Sequence, residues 1–197
     1  MPITKRTVKV PLGMRRSYFF PISTEPAAAH PTYGNPLDMG EAVKGYLTVQ
    51  SMAGDIYGDD VSLLHDTAFV SAQAEVETTC SDLELNSTLF GHTYADGLET
   101  SGKDDRSPYG AYAFIEPILK ADKALSYRAT FLYKCSANQD SEKTEADTRK
   151  NDFNPKYNAV TFAVVADNLG SWRARKDFDS LSAADAWIMT QGGYSGT

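Results

Sequence analysis

Apolar and polar residues alternate along much of the chain. Every second residue is apolar or glycine in 43–50, and every second residue is apolar in 70–77. Because successive side chains of a strand point to opposite faces, both segments are predicted to be half-buried strands. The segment 57–60 has the composition of a turn and predicts a chain reversal between short strand pieces at 55–57 and 61–65.

Later segments are richer in β-branched and aromatic residues. Residues 109–119 and 124–136 flank the polar segment 120–123, which predicts a β-hairpin. Residues 157–166 are mostly apolar and predict a buried strand, and the charged, amphipathic segment 171–178 predicts a further strand.

Two short segments have helical signals instead. Ser81 followed by Glu84 forms a capping box, and the helix that follows is predicted to end at Gly91. Ser182 is predicted to cap a second helix over 183–189. Neither helix is long enough to connect parallel strands. The predicted fold class is therefore mainly β, an antiparallel β-sandwich or barrel-like fold with one flanking short helix and a C-terminal helix.

The N-terminal region has a different composition. Six of the nine prolines lie in the first 36 residues, which excludes helix interiors there and removes backbone donors. Residues 1–37 are predicted to form an extended arm, in which 18–22 can pair at a sheet edge because such an edge tolerates Pro21. Residues 38–197 are predicted to form one β-rich domain.

Charge is distributed unevenly along the 197 residues, whose formal net charge is −7. No acidic residue precedes Glu25, so the first 24 residues carry +5 and the remaining 173 carry −12. A basic arm can bind nucleic acid, bind the acidic body of a second copy, or simply be solvated. No apolar run long enough to cross a membrane occurs, and no apolar export signal precedes a cleavage site.

Local motifs for catalysis or cofactor binding are weak. The segment 97–103 satisfies the spacing GxxxxGK, but Asp104 stands where a hydroxyl should hold magnesium, and no strand-to-helix context surrounds it. None of the three histidines lies at ligand spacing from another or from a cysteine, so only a zinc site assembled from distant residues stays open. Cys80 and Cys135 are predicted to be reduced. We predict no enzyme activity, no cofactor and no metal.

Two long polar segments, 92–108 and 140–152, interrupt the strand pattern. Loops of this length in a compact domain are usually functional or disordered. They are either solvated connections or segments that become ordered against a partner.

The order of these elements resembles that of a known family. The features that carry the likeness are the strand 43–50 with the turn after it, the alternating strand that ends at Thr79, the helix 82–91, the hairpin 109–134, and the polar loop before the strand at 159–162. In this order and spacing the chain is similar to the major tail proteins, or tail tube proteins, of bacteriophages with long non-contractile tails.

The resemblance implies a subunit that assembles into hexameric rings, which stack into a tube. DNA passes through this tube without specific binding. It also implies contacts with other tail proteins, such as the tape measure and tail-end proteins, synthesis in the host cytoplasm, and a final place in the tail of the virion. An acidic channel suits this role because it repels DNA and lets it slide.

Candidate residues follow from this expectation. Glu75 and Glu77, on the polar face of a strand, are candidates for the channel wall. Arg15, Arg16 and Tyr18 are candidates for binding a neighbouring subunit. The loop 140–152 is the candidate contact between stacked rings, through its charged residues Asp140, Glu142, Lys143 and Glu145.

Two other classes of protein remain open at this stage. The first is a β-sandwich binding module that does not polymerise, such as a decoration or tail-tip protein of a virion. The second is an enzyme whose site is assembled from distant residues, which requires a polar pocket with perturbed pKa values.

Overall fold

The computed structural model describes residues 7–58, 61–142 and 157–194, with the backbone alone for 55–58 and 61–65. The strands in chain order are β1 (Lys9–Pro11), β2 (Arg15–Thr24), β3 (Thr32–Tyr33), β4 (Leu37–Asp38), β5 (Ala42–Gly58), β6 (Val61–Thr78), β7 (Thr93–Ala95), β8 (Leu98–Thr100), β9 (Gly110–Lys120), β10 (Leu125–Ala137), β11 (Asn158–Val165) and β12 (Arg173–Phe178). The helices are α1 (Leu83–Phe90) and α2 (Leu181–Gln191). A 3-10 turn, Gln139–Ser141, follows β10.

The fold is mainly β, with one large antiparallel sheet, as the sequence pattern predicts. Its strand order is β3-β2-β9-β10-β11-β6-β5, while β7 and β8 form a separate small pair. The predicted hairpin is confirmed as β9 and β10, which lie at the centre of the large sheet. β10 pairs along its other edge with β12 and then with β11, so these two strands follow one another along the same edge.

β2 belongs to this sheet, which corrects the expectation of an arm that extends to residue 37. It pairs with β9 from Arg15 to Pro21, and the side chains of Phe19 and Phe20 are fully buried. Pro21 is tolerated because short strands alone flank the other side of β2. The folded body therefore starts with β1 and β2 rather than near Asp38.

The sheet buries apolar side chains on both of its faces. Phe19 packs on one face, in a core that includes Phe162 and Leu89 of α1. Phe20 packs on the opposite face, in a core that includes Ile188 of α2. The two helices thus cover opposite faces of one sheet.

The sheet also curls into a barrel-like shape. Gly45 of β5 approaches Met14, which immediately precedes β2, and a Cβ at position 45 would lie 2.3 Å from the terminal methyl carbon of Met14. The strand at one end of the sheet order therefore meets the chain near the other end.

The helix ends differ in detail from the predicted caps. Asp82, not Ser81, caps α1 by accepting a hydrogen bond from the backbone N–H of Glu84. Gly91 ends α1 with φ of 79°, as predicted. Ser180, not Ser182, caps α2 by accepting from the N–H of Ala183. Where Ser or Asp residues stand close together, the sequence alone does not show which of them caps the helix. The direction in which the chain enters the helix decides this.

Candidate functional site

β5 lies at one end of the large sheet and has a free outer edge. Its inner edge pairs with β6 from Ala42 to Gly58, and no strand in the described part of the chain pairs with its outer edge. Its 17 residues span about 55 Å of extended backbone. A long edge with free backbone donors and acceptors is a template for pairing with another chain.

The far part of the β5–β6 hairpin projects beyond the sheet as a two-stranded ribbon, which we define as residues 50–58 and 61–71. β6 pairs with β11 only between Ala72 and Thr78. Within the described residues, the ribbon part of β6 pairs with β5 alone. The sequence indicated short strand pieces here, whereas each strand is continuous up to residues 59–60, where the sequence predicts a turn and which lie outside the described residues.

Large apolar side chains are exposed on this ribbon. Met52 is 67% exposed and Val70 is 54% exposed, and Val49 at the base of the ribbon is exposed as well. An isolated two-stranded hairpin is only marginally stable in water. Packing of these apolar side chains against another protein surface would therefore stabilise the ribbon.

An aromatic contact fixes the base of the ribbon to the body. The rings of Phe69 and Trp172 stack with their centres 4.6 Å apart and their planes inclined by 6°. The guanidinium of Arg173 lies 4.2 Å from the centre of the Trp172 ring. Aromatic pairs of this kind contribute about 1 kcal/mol beyond the area they bury. This contact fixes the direction in which the ribbon leaves the sheet.

Glu75 and Glu77 lie on the face of β6 that points away from the core formed by Ala74 and Val76. Glu77 forms an ion pair with Lys44 of β5, with a distance of 3.6 Å between Nζ and the carboxylate oxygen. Glu75 has no ion-pair partner in the described part of the chain. This part of the sheet is therefore polar and carries a net negative charge.

Asp140 joins the same polar face. It lines a shallow groove with Gln73 and Thr161, and Thr161 also lines the neighbouring groove that contains Glu75 and Glu77. The fold thus brings together Glu75, Glu77 and Asp140, which the sequence placed in two separate hypotheses. Lys143 and Glu145 lie outside the described residues.

Tyr18 does not present its ring to a neighbour, which corrects the hypothesis that it binds one. Its side chain packs against α2, it is only 6% exposed, and its hydroxyl donates a hydrogen bond to Asp185. Burial, with added effects of Asp185, raises the pKa of Tyr18 to about 12. Arg15 is exposed at the start of β2. Arg16 has φ of 54° at an irregularity in the strand, and the nearby Tyr18 and Asp185 raise its pKa.

The basic N-terminal region uses at least one of its charges within its own chain. Lys9 of β1 donates to Asp177 of β12 at 3.2 Å, and Arg128 of β10 donates to both oxygens of the same carboxylate. These hydrogen bonds, from Arg128 first and then Lys9, lower the pKa of Asp177. Lys9 is thus paired with an acidic residue of its own chain.

The other motifs take simple structural places. The GxxxxGK segment lies in β8 and the turn after it, where the backbone N–H of Gly102 donates to Asp105. Cys80 and Cys135 are both free, and burial raises the pKa of the Cys135 thiol. Neither helix has the length and apolar composition of a membrane span, within the residues described.

No protein-family model matches the chain, and no curated protein matches it at significant similarity.

Proposed function

We propose that this protein is a structural subunit that pairs with copies of itself edge to edge in rings, and that the stacked rings form the tail tube of a bacteriophage with a long non-contractile tail. The observation that carries this proposal is the free outer edge of β5 together with the exposed apolar side chains of the ribbon. The phage tail itself, and six subunits in each ring, rest on the resemblance in element order.

Self-assembly would provide hydrogen-bond partners for the free edge of β5. Pairing β5 with a strand of the next subunit satisfies its outward-facing N–H and C=O groups and removes the edge that would otherwise invite disordered aggregation. Burial of Met52 and Val70 in a neighbouring subunit would add a hydrophobic contribution of roughly 1.5–3 kcal/mol for each fully buried side chain. The anchored ribbon is suited to this because its direction is set before assembly.

The polar sheet face with Glu75, Glu77 and Asp140 is the proposed lining of the channel. Acidic side chains repel the phosphate backbone, so DNA passes without being retained. In this role the protein needs no catalytic group. Its partners are copies of itself and the other tail proteins, and its place is the virion tail.

A matched pair of variants tests the proposal. Met52 on the ribbon is 67% exposed and Leu98 on β8 is 66% exposed, so replacement of either by Lys adds the same charge at the same degree of exposure. We expect concentrated wild-type protein and Leu98→Lys to form filaments of regular width with a central channel in negative-stain electron microscopy. We expect Met52→Lys to remain unassembled.

The outcomes separate the candidate functions. A wild-type protein that stays a small fixed oligomer at every concentration would favour a decoration or binding module that uses the same ribbon to dock on another virion protein. Filaments that form equally well with Met52→Lys would remove the ribbon from the assembly interface. Circular dichroism of both variants checks that neither substitution unfolds the chain.

A further inference from the structure

His92 lies just after α1, and its side chain is only 3% exposed. Its Nδ1 is 3.0 Å from a carboxylate oxygen of Glu99 and 3.2 Å from the hydroxyl oxygen of Ser101. Within the described residues, its Nε2 has no hydrogen-bond partner. A buried imidazole therefore has one nitrogen engaged and the other available.

The available nitrogen points towards two further carboxylates. Nε2 lies 3.9 Å from Oδ2 of Asp105 and 3.8 Å from Oε2 of Glu142. Moreover, ligand atoms of His92, Glu99 and Glu142 all lie within 4.8 Å of one another. Asp105 is held in place because its carboxylate accepts the N–H of Gly102 at 2.7 Å.

These separations are too long for hydrogen bonds and suit atoms that share one ion. Ligands about 2.0–2.2 Å from a metal lie roughly 3–4.4 Å from one another.

The charges also favour a cation. Glu99, Asp105 and Glu142 surround a single imidazole, and in the described part of the chain no lysine or arginine forms an ion pair with them. Carboxylates held close together repel one another, and a divalent cation offsets this repulsion.

We propose that His92, Glu99 and Glu142 bind a divalent transition-metal ion of the Zn²⁺ type, with the carboxylate of Asp105 beside the same imidazole. Imidazole nitrogen with carboxylate oxygen suits zinc and its neighbours, whereas Mg²⁺ and Ca²⁺ prefer oxygen ligands alone. The proposal does not depend on the proposed function.

Such an ion would connect two neighbouring segments to a third that lies much further along the sequence. His92 follows α1, Glu99 lies in β8, and Glu142 stands where the chain enters the polar segment 140–152. The site would therefore fix the entrance to that loop against the β7–β8 pair. The chemistry expected of it is structural, since it stabilises one arrangement of these segments.

Isothermal titration of the full-length chain with ZnCl₂, after treatment with a chelator, tests the proposal. We expect one Zn²⁺ per chain, an affinity at least tenfold weaker in Glu142→Gln, loss of binding in His92→Gln, and no comparable binding of MgCl₂. Glu75→Gln, which removes a carboxylate elsewhere on the surface, serves as the matched control and is expected to bind like the wild type. We also expect Zn²⁺ to raise the Tm of the wild type and not that of Glu142→Gln.

Two results would overturn it. One is the absence of stoichiometric Zn²⁺ binding by the wild type, which would mean that the carboxylates surround the imidazole without binding an ion. The other is equal binding by wild type, Glu142→Gln and His92→Gln, which would place the ion on other ligands such as Cys80. Glu142 is 40% exposed, so Glu142→Gln is expected to fold even if His92→Gln does not.

Discussion

The hydroxyl of Tyr18 donates a hydrogen bond to Asp185, with 3.0 Å between the two oxygens. It thereby joins β2, near the start of the chain, to α2, near its end. Tyr18 is buried against α2, so the contact closes one of the two cores of the sheet. The sequence suggested Tyr18 as a contact with a neighbouring subunit, but its side chain stabilises its own subunit instead.

Replacement of Tyr18 by Phe tests this contact. The ring is retained, but Asp185 loses its donor in a partly buried position, so we expect a loss of about 1–2 kcal/mol of unfolding free energy. Urea denaturation followed by circular dichroism measures it. Tyr194→Phe is the control. Because Tyr194 is exposed, removal of its hydroxyl group is expected to change the unfolding free energy by less than about 0.5 kcal/mol. Equal midpoints for the two variants would contradict a stabilising role of the hydrogen bond.

Alkaline pH should destabilise the protein through the same tyrosine. The pKa of Tyr18 rises from 10.0 to about 12 in the folded chain, so between these values the unfolded chain loses its proton while the folded chain keeps it. The unfolded state then binds fewer protons, and the unfolding free energy falls as pH rises. Below the ordinary value of 10.0 the contribution is complete.

Denaturation midpoints across this pH range measure the effect, with tyrosinate absorbance as a second readout. Burial also raises the pKa of Tyr33 and Tyr112, so Tyr18→Phe is expected to reduce the slope without removing it. An unchanged slope in Tyr18→Phe would show that Tyr18 titrates alike in the folded and unfolded chains.

Gly91 and Gly97 form a second matched pair. Both have φ of 79°, but a Cβ at position 91 would lie 2.0 Å from the backbone oxygen of Arg106, whereas position 97 has nothing within 4 Å. Gly97→Ala should therefore cost only the conformational penalty of about 1–2 kcal/mol. Gly91→Ala should cost more, because the backbone around Arg106 must also move. Thermal unfolding compares the two, and equal shifts in Tm would argue against the close approach.

Local patterns were sufficient for the elements whose partners lie nearby in sequence. The β9–β10 hairpin follows from two apolar runs and a short polar turn, and the end of α1 follows from Gly91. In both cases the contacts form within one continuous segment, since even the outermost pair of the hairpin, Gly110 and Cys135, belongs to adjacent strands, so composition and period carry the information. The mainly β, antiparallel character of the fold was predictable for the same reason.

The local pattern indicated that residues 18–22 can pair at a sheet edge, but not that β2 belongs to the body of the sheet. Its prolines and basic residues are typical of an extended arm, yet Phe19 and Phe20 are buried because β9, more than ninety residues later, supplies the pairing strand. Similarly, alternation along β5 and β6 does not reveal where β11 stops pairing, and only that point separates the ribbon from the sheet.

The sequence by itself therefore determined the strand period, the turns and the uneven charge, since these depend on neighbouring residues. Tertiary structure decided which edge stays free, that Lys9 meets its own Asp177, and that Glu99, Asp105 and Glu142 gather around His92. The physical reason is that an edge, an ion pair or a metal site depends on distances between segments far apart in sequence. No local period encodes those distances, because the packing of the whole sheet sets them.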